Sequence, residues 1–233
     1  AAKGKYIAHM DGDDMALPTK LQKQFDILEE NLDCSICVHN MKAINTESKP
    51  MEEAFKIFEK KKYTLLDMYL INPFFIHSSK MFINKIEEYL EDIDSNALDT
   101  EVHIEQAKQG DIFFLDERLG CYRQFVGVTY EKGFVSELVR ERIQFIYDNV
   151  DINLFSSSQL EEIKSKYARV LLEYAYQCSI SIKDEILFKK YVLKSLKVKY
   201  LGLTSYIFKV SIISPKLFFK ISEFRRLLRK RGG

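Results

Sequence analysis

Asp11, Asp13 and Asp14 stand around Gly12 directly after the mostly apolar run Lys5-Tyr6-Ile7-Ala8-His9-Met10. Carboxylates gathered on one short loop suit a hard divalent cation, which takes oxygen ligands and keeps part of its water shell. Asp11 and Asp13 are spaced i, i+2, so they project the same way where the backbone is locally extended. Asp and Gly also favour plain turns, and the pattern gains weight from its flanks. Leu17-Pro18 leads into a helical pattern, and ligands of open α/β sheets bind at strand ends.

The elements that must position this loop can be read along the chain. Residues 5–10 form a strand pattern with His9 on its core side. Pro18 to Asn31 has helical spacing, with Leu21, Phe25 and Leu28 as its apolar face. Ser35 to Ile44 alternates as a strand, a proline-containing loop follows to Glu53, and residues 54–62 and 64–70 are helical. Residues 74–77 are extended, and Ser79 to Phe82 leads to a helix over Lys85 to Leu90. Asp99 to Gln109 is a helix with Gly110 as its stop. Ile112 to Leu115 and Leu119 to Arg123 read as two strands separated by a turn at Asp116-Glu117-Arg118. Three helices follow over 134–147, 158–178 and 184–196, the second announced by the N-cap signal Ser156-Ser157-Ser158 before Glu161-Glu162.

The chain has 233 residues, 46% hydrophobic and 13% aromatic, which is a globular composition. Its formal charge of +1 conceals an asymmetry. From Lys194 onward seven Lys and four Arg face only Glu223, about +10, which leaves about −9 for residues 1–193. The segment after Tyr200 intersperses Ile207, Phe208, Val210, Ile212, Leu217, Phe218 and Ile221 with this basic charge. Such a segment can lie on an anionic membrane surface. The acidic body is a poor electrostatic footprint for nucleic acid, and none is expected as a partner. No apolar run reaches membrane-spanning length. Cys34 and Cys37 have C-x-x-C spacing, but they sit in a strand pattern that alternates them to opposite faces, and no second pair completes a zinc site. Cys34, Cys37, Cys121 and Cys178 are therefore read as structural.

Gly4-Lys5-Tyr6-Ile7-Ala8, Asp11-Gly12-Asp13-Asp14, Pro18 and Lys20-Leu21-Gln22-Lys23-Gln24 together resemble the family 2 glycosyltransferases with the GT-A fold. Gly110-Asp111-Ile112-Phe113-Phe114-Leu115-Asp116-Glu117, then Gly120-Cys121-Tyr122-Arg123 and Gly127-Val128-Thr129, resemble that family's closing strand. The resemblance covers residues 1–130. It implies an α/β chain: the C-terminal part of a GT-A (Rossmann-like) nucleotide-sugar transferase domain, then an α-helical C-terminal extension over 131–233. The family's earlier strands, which hold the nucleobase, have no counterpart here, so the chain reads as a portion of a longer protein.

The implied activity is metal-dependent, inverting transfer of a sugar from a nucleotide-diphosphate donor, a UDP-sugar, to a glycan or lipid-linked acceptor in bacterial-type surface polysaccharide synthesis. By the same resemblance Asp13 is the main ligand of Mn²⁺ or Mg²⁺, Asp11 contacts the metal or the ribose, and Asp14 can replace either. Arg123 meets the diphosphate or an acidic neighbour, His77 or Ser79 faces the acceptor, and Asp99 is the base, with Glu101 as the alternative. Phe125 stands where many relatives carry a histidine. His39 and His103 are read as structural. The implied location is cytoplasmic, peripheral on the inner face of the plasma membrane. A non-catalytic GT-A-like binding or scaffold module is the alternative from another class.

Overall fold

The computed structural model describes residues 2–51, 60–71, 75–89, 91, 93–124, 130–131 and 134–231. The chain divides into two compact units, residues 1–127 and 128–233. The first is built on β1 (Tyr6–Ala8), β2 (Met15–Ala16), α1 (Lys20–Glu30), β3 (Cys34–Ile44), β4 (Lys62–Tyr63), α2 (Leu65–Ile71), β5 (Met81–Ile83), α3 (Asp99–Ala107) and β6 (Asp111–Arg123). One mixed sheet runs in the order β1-β5-β3-β6-β2, with β4 also on β6. Only β3 and β6 are parallel among these pairs; β1–β5, β3–β5, β2–β6 and β4–β6 are antiparallel. The chain is thus a mixed α/β, Rossmann-like domain followed by helices, as expected.

The central strand is buried on both faces, as the apolar run Ile36, Cys37, Val38, Met41, Ala43 requires. Cys34 and Cys37 do not part to opposite faces. A register shift between Cys34 and Ile36 brings both thiols into one cluster with Leu28 and Met81. Burial pushes their pKa values up to about 11 and about 12, which leaves them inert as nucleophiles. Nor is there a turn at Asp116-Glu117-Arg118. His39 pairs with Leu115 and Asn40 with Arg118, so the polar residues bulge out of one continuous parallel strand. Lys62, expected to end a helix, begins β4, and residues 52–59 lie outside the described part. Where a helix was expected over 85–90, the described residues form a 3₁₀ turn at Ile86–Glu88, and residue 90 lies outside them.

α1 turns a different face inward from the one its apolar spacing selects. Leu21 and Phe25 are exposed, while Lys20, Gln24 and Leu28 are buried. Lys20 and Gln24 are spaced i, i+4 and act as polar struts. The Gln24 amide donates to the Cys37 carbonyl (2.7 Å) and to the Ser79 carbonyl (2.8 Å). Carbonyls that the sheet leaves unpaired need such donors when buried, and this need outweighs the apolar pattern.

His39 carries a pH-dependent share of the stability. Its ring is buried, Nδ1 lies 2.7 Å from the Asn40 carbonyl, and burial pushes its pKa from 6.5 down to about 4. The unfolded chain binds this proton more readily, so the stabilisation is complete above the unfolded value of 6.5 and is lost as pH falls towards 4. The shift corresponds to about 3 kcal/mol. Urea titrations at pH 7 and pH 4 should show wild type losing about that much more stability than His39→Gln. Equal losses in the two proteins would remove this role.

The second unit opens with a hairpin of β7 (Tyr130–Glu131) and β8 (Phe134–Val135), where a helix start was expected. Ser136 then precedes α4 (Glu137–Asp148). α5 (Ser157–Gln177) begins at a capping box: the Ser156 hydroxyl accepts from the Gln159 amide and the Gln159 side chain accepts from the Ser156 amide. A π-helical turn at Cys178–Ile182 leads to α6 (Glu185–Val198), capped by Asp184, and then to α7 (Leu203–Ser211) and α8 (Pro215–Arg231). Tyr147 and Tyr167 stack at 4.8 Å, and the buried Arg140 donates from Nε to the Tyr191 hydroxyl (2.9 Å). No described helix is long and apolar enough to cross a membrane.

Candidate active site

The acidic loop is held at both ends. β1 stops at Ala8, and the His9 amide donates to the Lys80 carbonyl (3.1 Å). The Asp14 amide donates to the Asp11 carbonyl (3.2 Å), closing a turn, and β2 then pairs with β6 beside Tyr122. Beneath the loop the buried Lys20 ammonium donates to the Ser78 carbonyl (2.7 Å) and the His9 carbonyl (3.4 Å). Burial pushes its pKa down to about 8, against the pull of the Asp14 charge.

Asp11 is fully engaged. Its amide donates to Ser78 Oγ (2.9 Å), Ser78 Oγ donates to Asp11 Oδ2 (3.0 Å), and His9 Nε2 lies 3.0 Å from Oδ1. Burial opposes ionisation, but the hydrogen bonds from His9 and Ser78 outweigh it and hold the carboxyl below its usual value. Asp13 is exposed and points its charge to solvent. Asp14 Oδ1 accepts from the Arg123 amide (2.9 Å), while Oδ2 is buried with no hydrogen-bond partner.

Arg123 is bonded to the acidic loop itself. Nε donates to the Asp13 carbonyl (3.0 Å), Nη1 to the carbonyls of Asn45 (2.8 Å) and Thr46 (3.2 Å), and Nη2 to Ser48 Oγ (3.1 Å). The guanidinium ties the acidic loop to the turn after β3, and few of its five N–H groups remain for a ligand. Phe125 lies outside the described residues.

Asp99 opens α3 as its first helical residue, with Leu98 as the cap. Its carboxylate is two-thirds exposed and lies 3.8 Å from His77 Nε2. Partial desolvation and the negative charge of Asp11 raise its pKa, with Lys80 and His9 opposing. Glu101, the alternative base, caps its own helix: its side chain accepts from the Leu98 amide (2.9 Å). Ser79 does not face an acceptor. It is fully buried, and its hydroxyl donates to the Ile76 carbonyl (2.7 Å).

His77 is half-buried within an aromatic group. Nδ1 lies 2.8 Å from His103 Nε2, and the His9 ring packs edge-on at 3.7 Å between centroids. Burial pushes the His77 pKa down to about 3 and holds that of the buried His103 well below its usual value, so both rings are neutral at pH 7. Lys80, almost wholly buried, donates to Gln106 Oε1 (3.1 Å), and its pKa falls to about 7 for the same reason.

Among the described residues, His9, Asp11 and His77 bring one ligand atom each within 4.8 Å of one another. Two imidazoles and a carboxylate fit a divalent cation. Ser78 on Asp11 and His103 on His77 supply the outer hydrogen bonds that orient such ligands. His9 therefore belongs to the site rather than to the core. Its i, i+2 spacing from Asp11 was the available signal. Ser78 and Lys80 gave none, because their roles depend on β5 lying beside β1.

Tyr122 feels the acidic loop and the start of α3 at once. The Tyr122 hydroxyl is raised first by burial and then by the charges of Asp14, Asp13, Asp11 and Asp99.

No family model matches the chain. Over 86 residues it is 37% identical to an uncharacterised glycosyltransferase of Methanocaldococcus jannaschii, a match covering 34% of this chain and 29% of that protein. Over 127 residues it is 28% identical to uncharacterised proteins of Mycobacterium bovis and Mycobacterium tuberculosis, covering 53% of this chain and 36% of each of those. The matched stretches thus span about a third of the length of these curated relatives.

Proposed function

We propose that the chain belongs to a family 2 type, inverting glycosyltransferase that moves a sugar from a nucleotide-diphosphate donor to a glycan or lipid-linked acceptor. The observation that carries this reading is the approach of His9, Asp11 and His77 at the end of β1, one ligand atom each within 4.8 Å, with Asp99 3.8 Å from His77 Nε2. The general relationship to a protein named as a glycosyltransferase supports the same class.

Asp11 and Asp13 would hold Mn²⁺ or Mg²⁺, and His9 and His77 each bring a ligand atom within 4.8 Å of Asp11. When bound, the cation supplies Lewis-acid compensation for the charge developing on the leaving diphosphate. Lys20, Ser78 and Arg123 keep the loop in place through their contacts to its backbone and to Asp11. Asp99 takes the proton of the acceptor hydroxyl as that oxygen attacks the anomeric carbon opposite the leaving group. Its raised pKa makes it a better proton acceptor than an ordinary aspartate, and solvent access lets the proton leave afterwards.

Incubating the full-length protein with a panel of UDP-sugars and lipid-linked acceptors tests this. Sugar transfer that stops on chelation, with inverted anomeric configuration by NMR, is the expected outcome. A retained configuration, or no turnover of any nucleotide-sugar, would overturn it.

A further inference from the structure

α7 and the first turns of α8 carry a second apolar face that does not pack on the protein body. Leu203, Tyr206, Ile207 and Val210 fall at i, i+3, i+4 and i+7, a complete helical face. All four lie outside, as do Ile213 in the connecting turn and Leu217 and Ile221 on α8, each 46–85% exposed. The inward positions are taken by Ser205 and Ser222, both buried, and by aromatic rings.

The orientation is fixed by those rings. Phe188 of α6 is fully buried and meets Phe208 at 6.3 Å and both Phe218 and Phe219 at 5.3 Å between centroids, while Phe208 and Phe218 meet at 5.2 Å. The Ser205 hydroxyl accepts from the Leu201 amide (2.8 Å), pinning the start of α7 with its serine inward. Turning the outer stripe inward would break this knot. The stripe is therefore a surface by construction, and it is larger than scattered exposure explains.

Its charge says what covers it. Lys209, Lys216 and Lys220 are exposed along the same two helices, and the sequence continues with Arg225, Arg226, Arg229, Lys230 and Arg231. Glu223 is the single acid among residues 194–233, and it pairs with Lys183 at 3.0 Å. Neither helix can span a bilayer. Apolar side chains flanked by lysines on helices of this kind match the interface of an anionic bilayer, with the stripe in the acyl boundary and the ammonium groups at the headgroups.

We propose that the outward face of α7 and α8 docks on an anionic lipid surface. The inference stands apart from the transferase reading, since it uses none of the acidic-loop residues. Sedimentation of the full chain with phosphatidylserine-containing and pure phosphatidylcholine vesicles tests it. Binding is expected to the anionic vesicles only, to weaken with salt, and to fall about fivefold for each of Lys209→Gln, Lys216→Gln and Lys220→Gln. Ile213→Ser with Leu217→Ser should lower it about tenfold more. These side chains are exposed, and an unchanged circular dichroism spectrum certifies the fold. The proposal fails if wild type stays in the supernatant with anionic vesicles at low salt, or if the serine substitutions leave binding intact. It also fails if the stripe instead holds two copies together, seen as a dimer that the serine substitutions dissociate without vesicle binding.

Discussion

Asp99→Asn in the full-length protein is expected to lower kcat by about 10³-fold while leaving donor affinity unchanged. The amide keeps the shape of the side chain at the start of α3 and removes only its capacity to take a proton. Glu101→Gln supplies the contrast. Its carbonyl oxygen can still accept from the Leu98 amide, so the helix start survives. A loss of no more than about fivefold is expected there, since no transition-state contact is removed. The reverse ranking would move the base to Glu101. Single-turnover rates for the two variants, with donor affinity measured separately, decide between them.

Phe188→Ala should be the most damaging single change for the second unit. The ring is fully buried between α6, α7 and α8, and its removal leaves a cavity lined by Phe208, Phe218 and Phe219. A loss of about 3–5 kcal/mol is expected from transfer and cavity terms together. Urea unfolding followed by helical circular dichroism would report it. Phe188→Leu should cost clearly less, because a branched aliphatic side chain refills part of the space. Equal stability of wild type and the alanine variant would show that the aromatic knot does not organise these helices.

The acidic loop, α1, β3, α3 and most of the later helices were legible because each rests on local signals: an apolar run, a helical period, a cap, a glycine stop. What went unread depends on neighbours distant in sequence. Leu21 and Phe25 looked like core, yet Lys20 and Gln24 take the inner face because the carbonyls of Ser78, Ser79 and Cys37 need donors. Asp116-Glu117-Arg118 looked like a turn, since nothing local says that β6 continues along β3 on both sides of it.

The same holds within the site. The aspartates carried their own signal through type and spacing. His9 was placed in the core because its strand was read two residues too long, whereas β1 ends at Ala8. That Ser78 rather than Ser79 holds Asp11 depends on the backbone of the 3₁₀ turn at His77–Ser79, which no local pattern announces. Arg123 stands out by type, while its partners on the acidic loop and on the turn after β3 are set by strands distant in sequence.

The proposed function rests on one chemical premise: the acidic loop, with His9 and His77, would hold a divalent ion that compensates the charge of a nucleoside diphosphate. Calorimetric titration of UDP into the full-length protein, with Mn²⁺ and then with chelator, addresses it in wild type, Asp11→Ala and Asp13→Ala. Tight binding in wild type that needs the ion, and falls about tenfold or more in each variant, is the predicted result. Equal UDP affinity with and without Mn²⁺, or variants that bind like wild type, would contradict it.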